Sequence, residues 1–412
     1  MQKSKSLHWI VFFLQPFLTL LYYLSRYRNP FSKNIIWFFT IYFSATIAIG
    51  VESQGSDINV YMADVELMSE VKDLDGVIAF YETSGEVDVF RTFFAFLISR
   101  ITQDGYVYII FLGAIFGYFY SRNLWLVIDA TSGRFKPYLI SLVFCLFLVI
   151  PIWNMGGFRF WTAAHIYLFG LLGYFIKGNR KSLIWIIAVP FVFHYAFIVP
   201  SILLIIYLLT GNRLNVYFYL FLLSIVLGEI NLSKFNAYIE TFGPQEFVER
   251  SSSYRLDDKV QEYRTGAGLE GIVWYAKYLK YFLHWPVYSF LLVTFYFARK
   301  QITQKSLLNL FNFTLLFYSV ANLFSSLPSG SRYLDIAAFL ALTFIIIFVQ
   351  NSVRANSVLV KTIRLGTPVL LIFIMVQFRQ SLYLTSVFTL IGNPITALFF
   401  IGENFSINDL IK

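Results

Sequence analysis

Apolar residues recur along the whole chain in long runs separated by short polar connections. Because a helix needs about 20 mainly apolar residues to cross a bilayer, this pattern predicts an all-α polytopic integral membrane protein with about 10–13 transmembrane helices. We expect these helices to form a single membrane-embedded domain over residues 1–412. The runs lie near Leu7–Leu24, Ile35–Val51, Tyr106–Tyr120, Tyr138–Trp153, Phe160–Ile176, Val216–Ile230, Ile272–Ala298, Leu307–Leu327, Leu334–Val349 and Thr367–Phe378.

The apolar stretch Leu183–Leu209 is long for one crossing and short for two, and basic residues flank both of its ends. Pro190 and Pro200 interrupt it. Because proline removes an amide donor and breaks or kinks a helix, we interpret this stretch as two short helices that meet near His194.

The connections differ in charge, and this difference predicts their sides. Six connections hold 16 basic residues and one acid, Asp129, so the positive-inside rule makes them cytoplasmic. The two long loops, residues 52–105 and 231–271, are rich in acidic residues and are expected to be external. Within the first loop, Phe90–Ile101 is typical of an interfacial amphipathic helix. Residues 381–412 are expected to form an external C-terminal segment.

Composition supports the membrane assignment and excludes some functions. The chain of 412 residues is 58% hydrophobic and only 13% charged, where soluble domains average about 25% charged residues. The net charge of +9 comes from basic residues spread singly over the connections, which indicates topology rather than nucleic-acid binding. With one cysteine, Cys145, and four histidines without metal-ligand spacing, we expect no metal site and no cofactor.

Three ionisable residues stand at the edges of apolar spans on the expected external side: Arg159, His194 and Arg332. Such residues are energetically expensive in a membrane and are candidates for function. Two buried arginines need counter-charge, and nearby spans offer only Asp335, one turn from Arg332. A lipid pyrophosphate would supply the balance.

The external loops add candidates that could contact a sugar or its hydroxyl groups. Asp57 and Tyr61 follow directly after a span, and the Asp57 carboxylate could orient or deprotonate a hydroxyl. Arg255 lies in a loop of mixed aromatic and charged residues, and Tyr333 follows Arg332. An ordinary solvated loop and an interfacial aromatic belt are the competing interpretations for these residues.

Several short motifs resemble the EpsG-like branch of bacterial Wzy-type polysaccharide polymerases over most of the chain. They are Gly55-Ser56-Asp57-Ile58-Asn59-Val60-Tyr61, Arg159 at the start of a span, Phe193-His194-Tyr195 before Pro200, Ser331-Arg332-Tyr333, and the tail from Ile391-Gly392-Asn393-Pro394 to Ser406-Ile407-Asn408-Asp409-Leu410-Ile411. Each motif is short, and the resemblance lies in their order, spacing and common side.

The resemblance implies a GT-C-like, metal-independent glycosyltransferase that acts on undecaprenyl-pyrophosphate-linked oligosaccharides at the periplasmic face of a bacterial inner membrane. It implies pyrophosphate binding by Arg159 and Arg332, and catalytic roles for His194 and Asp57. A flippase and a chain-length regulator of the same pathway are the implied protein partners, together with membrane lipid. A flippase for lipid-linked sugar, an O-antigen ligase and a membrane-bound acyltransferase that uses His165 or His194 are the alternatives.

Overall fold

The computed structural model describes residues 5–49, 57–83, 88–227, 274–325, 330–399 and 405–411. Within these ranges the chain is helical, and the only β-type pairings there are two isolated bridges, Ile47–Thr385 and Ser386–Ser406. Six helical segments in these ranges are long and apolar enough to cross a membrane: Gly105–Asp129, Pro137–Phe175, Leu279–Gln301, Lys305–Leu323, Ser331–Asn351 and Ser357–Ser381. The chain is therefore an all-α, multi-pass membrane protein, as the hydrophobic pattern predicts.

The described α-helices, numbered in chain order, are α1 Lys5–Leu14, α2 Pro16–Ser25, α3 Ser32–Ala45, α4 Asp57–Glu70, α5 Leu74–Thr83, α6 Val89–Ser99, α7 Gly105–Asp129, α8 Ile140–Leu148, α9 Phe158–Phe175, α10 Leu183–Val192, α11 Ile198–Thr210, α12 Leu214–Leu227, α13 Trp274–Lys277, α14 Leu279–Val293, α15 Lys305–Leu323, α16 Ser331–Asn351, α17 Ser357–Ser381, α18 Val387–Ile391, α19 Pro394–Phe399 and α20 Ile407–Ile411.

The chain divides into two compact units. The first comprises Met1–Ser132, Ile150–Ile202 and Gln377–Lys412, and the second comprises Gly133–Val149 and Leu203–Val376. In the first unit α7 packs against α3, α4 and α9. In the second unit α15 packs between α12 and α16, and α16 also contacts α8 and α14.

The first predicted span, Leu7–Leu24, is wrong as a single crossing. The chain breaks before Pro16 into α1 and α2, each of ten residues, or about 15 Å of helix, which is half of the hydrocarbon thickness. A hydrogen bond joins the Tyr23 hydroxyl to Nδ1 of His8, and a straight helix would separate these residues by about 22 Å. The two helices therefore fold back on each other.

The interpretation of Leu183–Leu209 as two helices is confirmed. Helix α10 ends at Val192, His194 adopts an extended backbone, and α11 begins at Ile198 after a short 3-10 turn. The Ser201 hydroxyl donates to the carbonyl oxygen of Ile186 at 3.3 Å, although a continuous helix would place these residues about 22 Å apart. The chain thus reverses direction at His194.

The predicted external loop 52–105 contains three helices, α4, α5 and α6, where the sequence pattern predicted only the helix near Phe90–Ile101. Arg91 of α6 makes a bidentate ion pair with Asp64 of α4, with N–O distances of 2.6 and 2.7 Å. This pair joins α4 to α6, so the segment is a packed structure rather than an open loop.

The C-terminal segment returns to the end of α3 in the first unit. The hydroxyl groups of Thr46 and Thr389 are 2.8 Å apart, and the amide of Ala48 donates to the carbonyl oxygen of Leu384 at 3.0 Å. The Tyr42 hydroxyl donates to the carbonyl oxygen of Phe388. The other predicted external loop, residues 231–271, lies outside the described residues.

Candidate functional site

A buried acid, Asp88, connects the sequence-predicted residues of the first unit. Its side chain is only 1% exposed, and it immediately precedes α6. One carboxylate oxygen accepts a hydrogen bond from Nη1 of Arg159 at 3.2 Å, and the other accepts from the backbone amide of Tyr195 at 3.1 Å. Nδ1 of His194 lies 3.8 Å from the first of these oxygens. One carboxylate thus links the start of α9 to the chain reversal between α10 and α11.

Arg159 occupies the second residue of α9, and its side chain is 28% exposed. Besides Asp88, it interacts with the hydroxyl of Tyr61 through both its guanidinium group and its backbone amide. Tyr61 is buried on α4. Burial raises the pKa of Tyr61 above its usual value, while Arg159 opposes and Asp57 reinforces this shift. The Tyr61 hydroxyl is therefore a hydrogen-bonding group at neutral pH rather than a base.

Asp57 begins α4 and lies beside the glycine turn that precedes α9. A Cβ atom at Gly157 would lie 3.9 Å from Oδ2 of Asp57 and only 3.0 Å from the Trp161 ring. A side chain at position 157 would crowd the Trp161 ring, and Asp57 lies within ordinary van der Waals distance of the same position. Gly55 and Ser56, which precede Asp57 in the sequence motif, lie outside the described residues.

His194 is positioned by its backbone and by neighbouring aromatic rings. Its Nδ1 accepts from the backbone amide of Ala196 at 3.4 Å, and its ring packs edge-on against Phe160 with centroids 5.5 Å apart. The adjacent Phe193 stacks on Phe90 of α6 at 4.6 Å. Because Nδ1 accepts the hydrogen of the Ala196 amide, the neutral imidazole carries its proton on Nε2, from which it can donate to a bound oxygen.

These residues form the candidate site of the first unit, which we call the Asp88 cluster: Asp57, Tyr61, Asp88, Arg159 and His194. The cluster lies in the half of the unit where α7 begins. Gly105, at the start of α7, lies against Met62, the residue next to Tyr61. The Met155 side chain lies against Gly113, about 12 Å further along α7. The residues next to the cluster therefore lie within about the first 12 Å of α7.

The basic connections of the first unit lie at the opposite end of α7. Arg28 donates to the carbonyl oxygens of Ile128 and Thr131 at 2.6 and 2.7 Å, where α7 ends, about 36 Å from its start. This separation is about the thickness of a bilayer. Asp57, Arg159 and His194 thus lie toward the end of the first unit opposite Arg28.

In the second unit, Arg332 is the second residue of α16 and is half-buried, and the neighbouring Tyr333 is buried. Arg332 interacts electrostatically with Asp335, which also interacts with Tyr318 of α15. At the other end of α16, about 30 Å away, Nζ of Lys136 donates to the carbonyl oxygens of Val349 and Ser352 at 2.7 and 3.0 Å. Arg332 therefore also lies at the end of its unit opposite a basic connection.

The structure brings four predicted residues together, Asp57, Tyr61, Arg159 and His194, whereas Arg332 and Tyr333 belong to the other unit. Arg255 lies outside the described residues. The sequence analysis missed Asp88. An acid directly before an amphipathic helix suggests a helix cap, but the Asp88 side chain makes no capping hydrogen bond, and the pattern does not indicate its burial beside Arg159. Asp88 also corrects the expectation that Arg159 needs a bound pyrophosphate as its counter-charge, because the Asp88 carboxylate supplies one within the chain.

The cluster combines a partly exposed cation, an imidazole and two carboxylates, which suits binding of an anionic group and transfer of a proton. Among the described residues, no group of three or more His, Cys, Asp or Glu side chains could hold a metal ion. His165 is fully buried between α7 and α9, where Asn123 donates to its carbonyl oxygen at 2.7 Å. This position suits a packing residue.

No family model, curated protein or solved structure matches this chain. The fold defines its class as a multi-pass helical membrane protein.

Proposed function

We propose that this chain is a glycosyltransferase that polymerises oligosaccharide repeat units carried on undecaprenyl pyrophosphate. The product would be O-antigen, capsule or exopolysaccharide, made at the periplasmic face of a bacterial inner membrane. The observation that carries the proposal is the Asp88 cluster, in which Arg159, partly exposed, is held beside His194 and Asp57 at the end of the first unit away from its basic connection.

In the proposed reaction, a hydroxyl oxygen on the terminal sugar of the acceptor forms a bond to the anomeric carbon of the growing glycan. The bond from that carbon to the pyrophosphate oxygen breaks, and its electron pair leaves with undecaprenyl pyrophosphate. The hydroxyl proton passes to Asp57, and Nε2 of His194 donates a hydrogen bond that orients the hydroxyl or binds a phosphate oxygen. Tyr61 would hydrogen-bond the sugar, in keeping with the protonated state that its burial favours.

Arg159 is proposed to stabilise the negative charge that develops on the departing pyrophosphate. Fixed cations in a site of low dielectric constant stabilise such charge strongly, because they need no reorganisation during the reaction. A guanidinium group carries five N–H donors, so Arg159 can keep its contact with Asp88 and still bind phosphate oxygens. In the second unit, Arg332 is proposed as a further phosphate contact, and Tyr333 is proposed as a sugar contact.

The resemblance to Wzy-type polymerases extends the proposal to the whole protein. We propose a GT-C-like architecture with about 10–13 transmembrane helices, and a pathway flippase and a chain-length regulator as partners. The position of the Asp88 cluster near the start of α7 supports a reaction at the boundary of the hydrocarbon region, where a polyprenyl carrier would present its pyrophosphate.

The test is complementation of a deletion strain with single variants, read as the ladder of surface polysaccharide. We expect Arg159→Ala and His194→Ala to lower polymer formation by about 100-fold or more, the loss typical of removing a hydrogen-bond donor that stabilises developing charge. Arg180→Ala is the matched control, since Arg180 is exposed near the opposite end of α9. Equal amounts of each protein in the membrane must be shown by immunoblotting.

Full-length polymer from well-expressed Arg159→Ala and His194→Ala variants would contradict the proposal. The deletion strain itself provides the second readout. A polymerase predicts that single repeat units replace the ladder, because units still reach the outer face and are no longer joined.

The interrupted helix at His194 also favours a second candidate, a flippase for the same lipid-linked sugars. Transporters bind substrate near the bilayer midplane at broken helices, and the chain reversal at His194 is such a break. A flippase predicts a different result from the deletion strain, namely loss of every lipid-linked unit from the outer face.

A further inference from the structure

The second unit contains a basic pocket that the proposed reaction does not use. It is a cavity of about 640 Å³ lined by residues 212–216, Arg299 and Lys300. Three of its lining side chains, Arg213, Arg299 and Lys300, are cationic, and none is acidic. We call this cavity the basic pocket. The basic pocket lies between the turn before α12 and the end of the Leu279–Gln301 span.

The turn at the basic pocket is held in place by several hydrogen bonds. Gly211 adopts a left-handed backbone with φ of 66° at the end of α11, and its carbonyl oxygen accepts from the Tyr217 hydroxyl at 2.8 Å. Nδ2 of Asn212 donates to Oδ1 of Asn309 at 2.7 Å, and Oδ1 of Asn212 accepts from the Tyr207 hydroxyl at 2.8 Å. Because both ends of the Asn212 amide are engaged, the wall of the pocket is preformed.

The cations are oriented by neutral groups. Nη1 of Arg299 donates to Oδ1 of Asn215 at 3.1 Å, and its guanidinium group lies 4.5 Å from the centre of the Phe295 ring. Nε of Arg213 donates to the carbonyl oxygen of Thr210 at 3.2 Å. Within the described ranges, neither arginine nor Lys300 has an acidic partner. The pocket therefore concentrates positive charge, which attracts an anion.

The side chains next to the basic pocket are apolar and exposed. On α12 these side chains are Val216, Tyr219 and Leu220, and in the other segment they are Tyr296 and Phe297, just before Arg299. Each of the five side chains is 42–61% exposed. An anion site at the ends of two apolar helices, bordered by exposed apolar side chains, matches an amphiphile with a charged headgroup. A soluble anion would use the cations and leave the apolar surface uncovered.

We propose that the basic pocket binds the phosphate headgroup of an anionic membrane phospholipid, whose acyl chains cover the exposed faces of α12 and the Leu279–Gln301 segment. Basic pockets between transmembrane helices commonly take such headgroups. The side predicted for Arg213, Arg299 and Lys300, the cytoplasmic face, is the one where anionic lipid gives a membrane its negative surface potential. This proposal does not depend on the proposed glycosyltransferase activity.

The test uses the purified full-length chain in a zwitterionic detergent, with phosphatidylglycerol or phosphatidylcholine added and retained lipid counted by native mass spectrometry. We expect phosphatidylglycerol to be retained preferentially, and its affinity to fall about tenfold or more in Arg213→Ala/Arg299→Ala. The matched control, Lys305→Ala/Arg354→Ala, removes the same charge from exposed positions that do not line the pocket, and should retain lipid as the parent does.

A charge-preserving variant separates binding from folding. Arg213→Lys/Arg299→Lys should keep most of the retention, because the cations remain. Equal retention of phosphatidylglycerol by the parent, the alanine pair and the control would overturn the proposal. Inorganic phosphate serves as a second probe. If millimolar phosphate raises the melting temperature of the parent as much as phosphatidylglycerol does, the pocket is a site for soluble anions and the lipid assignment is wrong.

Discussion

At the scale of single residues, the Asp88 cluster shows how a charged group is kept inside an apolar bundle. Asp88 is almost completely buried and accepts hydrogen bonds from Arg159 and from the Tyr195 amide. A buried carboxylate without partners would be prohibitively unstable, whereas one with two donors is tolerated. The same contacts hold Arg159 and His194 near each other, so stability and the proposed chemistry depend on one side chain.

The Asp88–Arg159 contact predicts energetic coupling between the two residues. Asp88→Asn should destabilise the protein by about 3 kcal/mol, near the lower limit for breaking a buried pair because Arg159 is partly exposed. Adding Arg159→Gln should recover part of this loss, with an interaction energy of about 0.5–3 kcal/mol. A double-mutant cycle of unfolding free energies in detergent measures it. Strict additivity, within about 0.3–0.5 kcal/mol, would mean that the two residues do not interact.

The Arg91–Asp64 pair predicts a different effect, confined to the packing of α4 on α6. Arg91→Lys keeps the charge but loses the planar fork that binds both carboxylate oxygens. We expect a loss of about 1–2 kcal/mol in the free energy of unfolding and faster protease cleavage in α4 to α6. Lys72→Arg, at an exposed position of the same segment, is the control. Unchanged cleavage in Arg91→Lys would show that the pair does not anchor α4.

At the scale of helices, small residues determine how closely α3 and α7 approach. A Cβ atom at Gly113 would lie 2.0 Å from the Ser44 hydroxyl, and one at Gly117 would lie 2.6 Å from Cβ of Thr40. Both pairs are spaced by four residues, so Gly113 and Gly117 present one face of α7 to one face of α3. This is the small-xxx-small packing that membrane helices favour.

This packing makes α7 sensitive to side-chain size. Gly113→Leu and Gly117→Leu should each lower the free energy of unfolding by about 1–3 kcal/mol or more, because overpacking forces the helices apart. Phe111→Leu on the exposed side of α7 should change it by much less. Melting temperatures in one detergent provide the comparison. If the glycine variants have the same melting temperature as the Phe111→Leu control, α3 and α7 are not in close contact.

At the scale of the whole molecule, each unit has a basic end and an end with a candidate functional arginine. In the first unit Arg28 caps the end of α7 that lies away from the Asp88 cluster, and in the second Lys136 caps the end of α16 away from Arg332. Lysine and arginine remain on the cytoplasmic side during membrane insertion. Both arginines are therefore expected to face the external side.

Cysteine labelling of intact cells tests this orientation. In a Cys145→Ser background, which removes a buried thiol, Leu74→Cys and Ser331→Cys should react with a membrane-impermeant maleimide. Arg180→Cys and Val353→Cys should react only after the membrane is opened. All four positions are exposed. Labelling of Leu74→Cys and Ser331→Cys from opposite sides would contradict the expectation that both arginines face the external side.

Several features followed from the sequence alone because they depend on local composition. Runs of apolar residues determine that the chain is helical and embedded in a membrane, since backbone groups in lipid must be satisfied within the helix. The chain reversal at His194 was predictable from basic residues at both ends of an overlong apolar run. The approximate position of the helix near Phe90–Ile101 followed from its amphipathic pattern.

Tertiary structure alone decided how distant residues meet. Asp88 lies 71 positions from Arg159 in the chain, and nothing local marks which of the many acids in residues 52–105 becomes buried beside an arginine. The folding back of α1 on α2 depends equally on a long-range contact, that of His8 with Tyr23. The mean hydropathy of a segment indicates whether that segment prefers lipid. The pairing of charges and the reversal of short helices depend instead on residues that are distant in sequence and come together only in the folded chain.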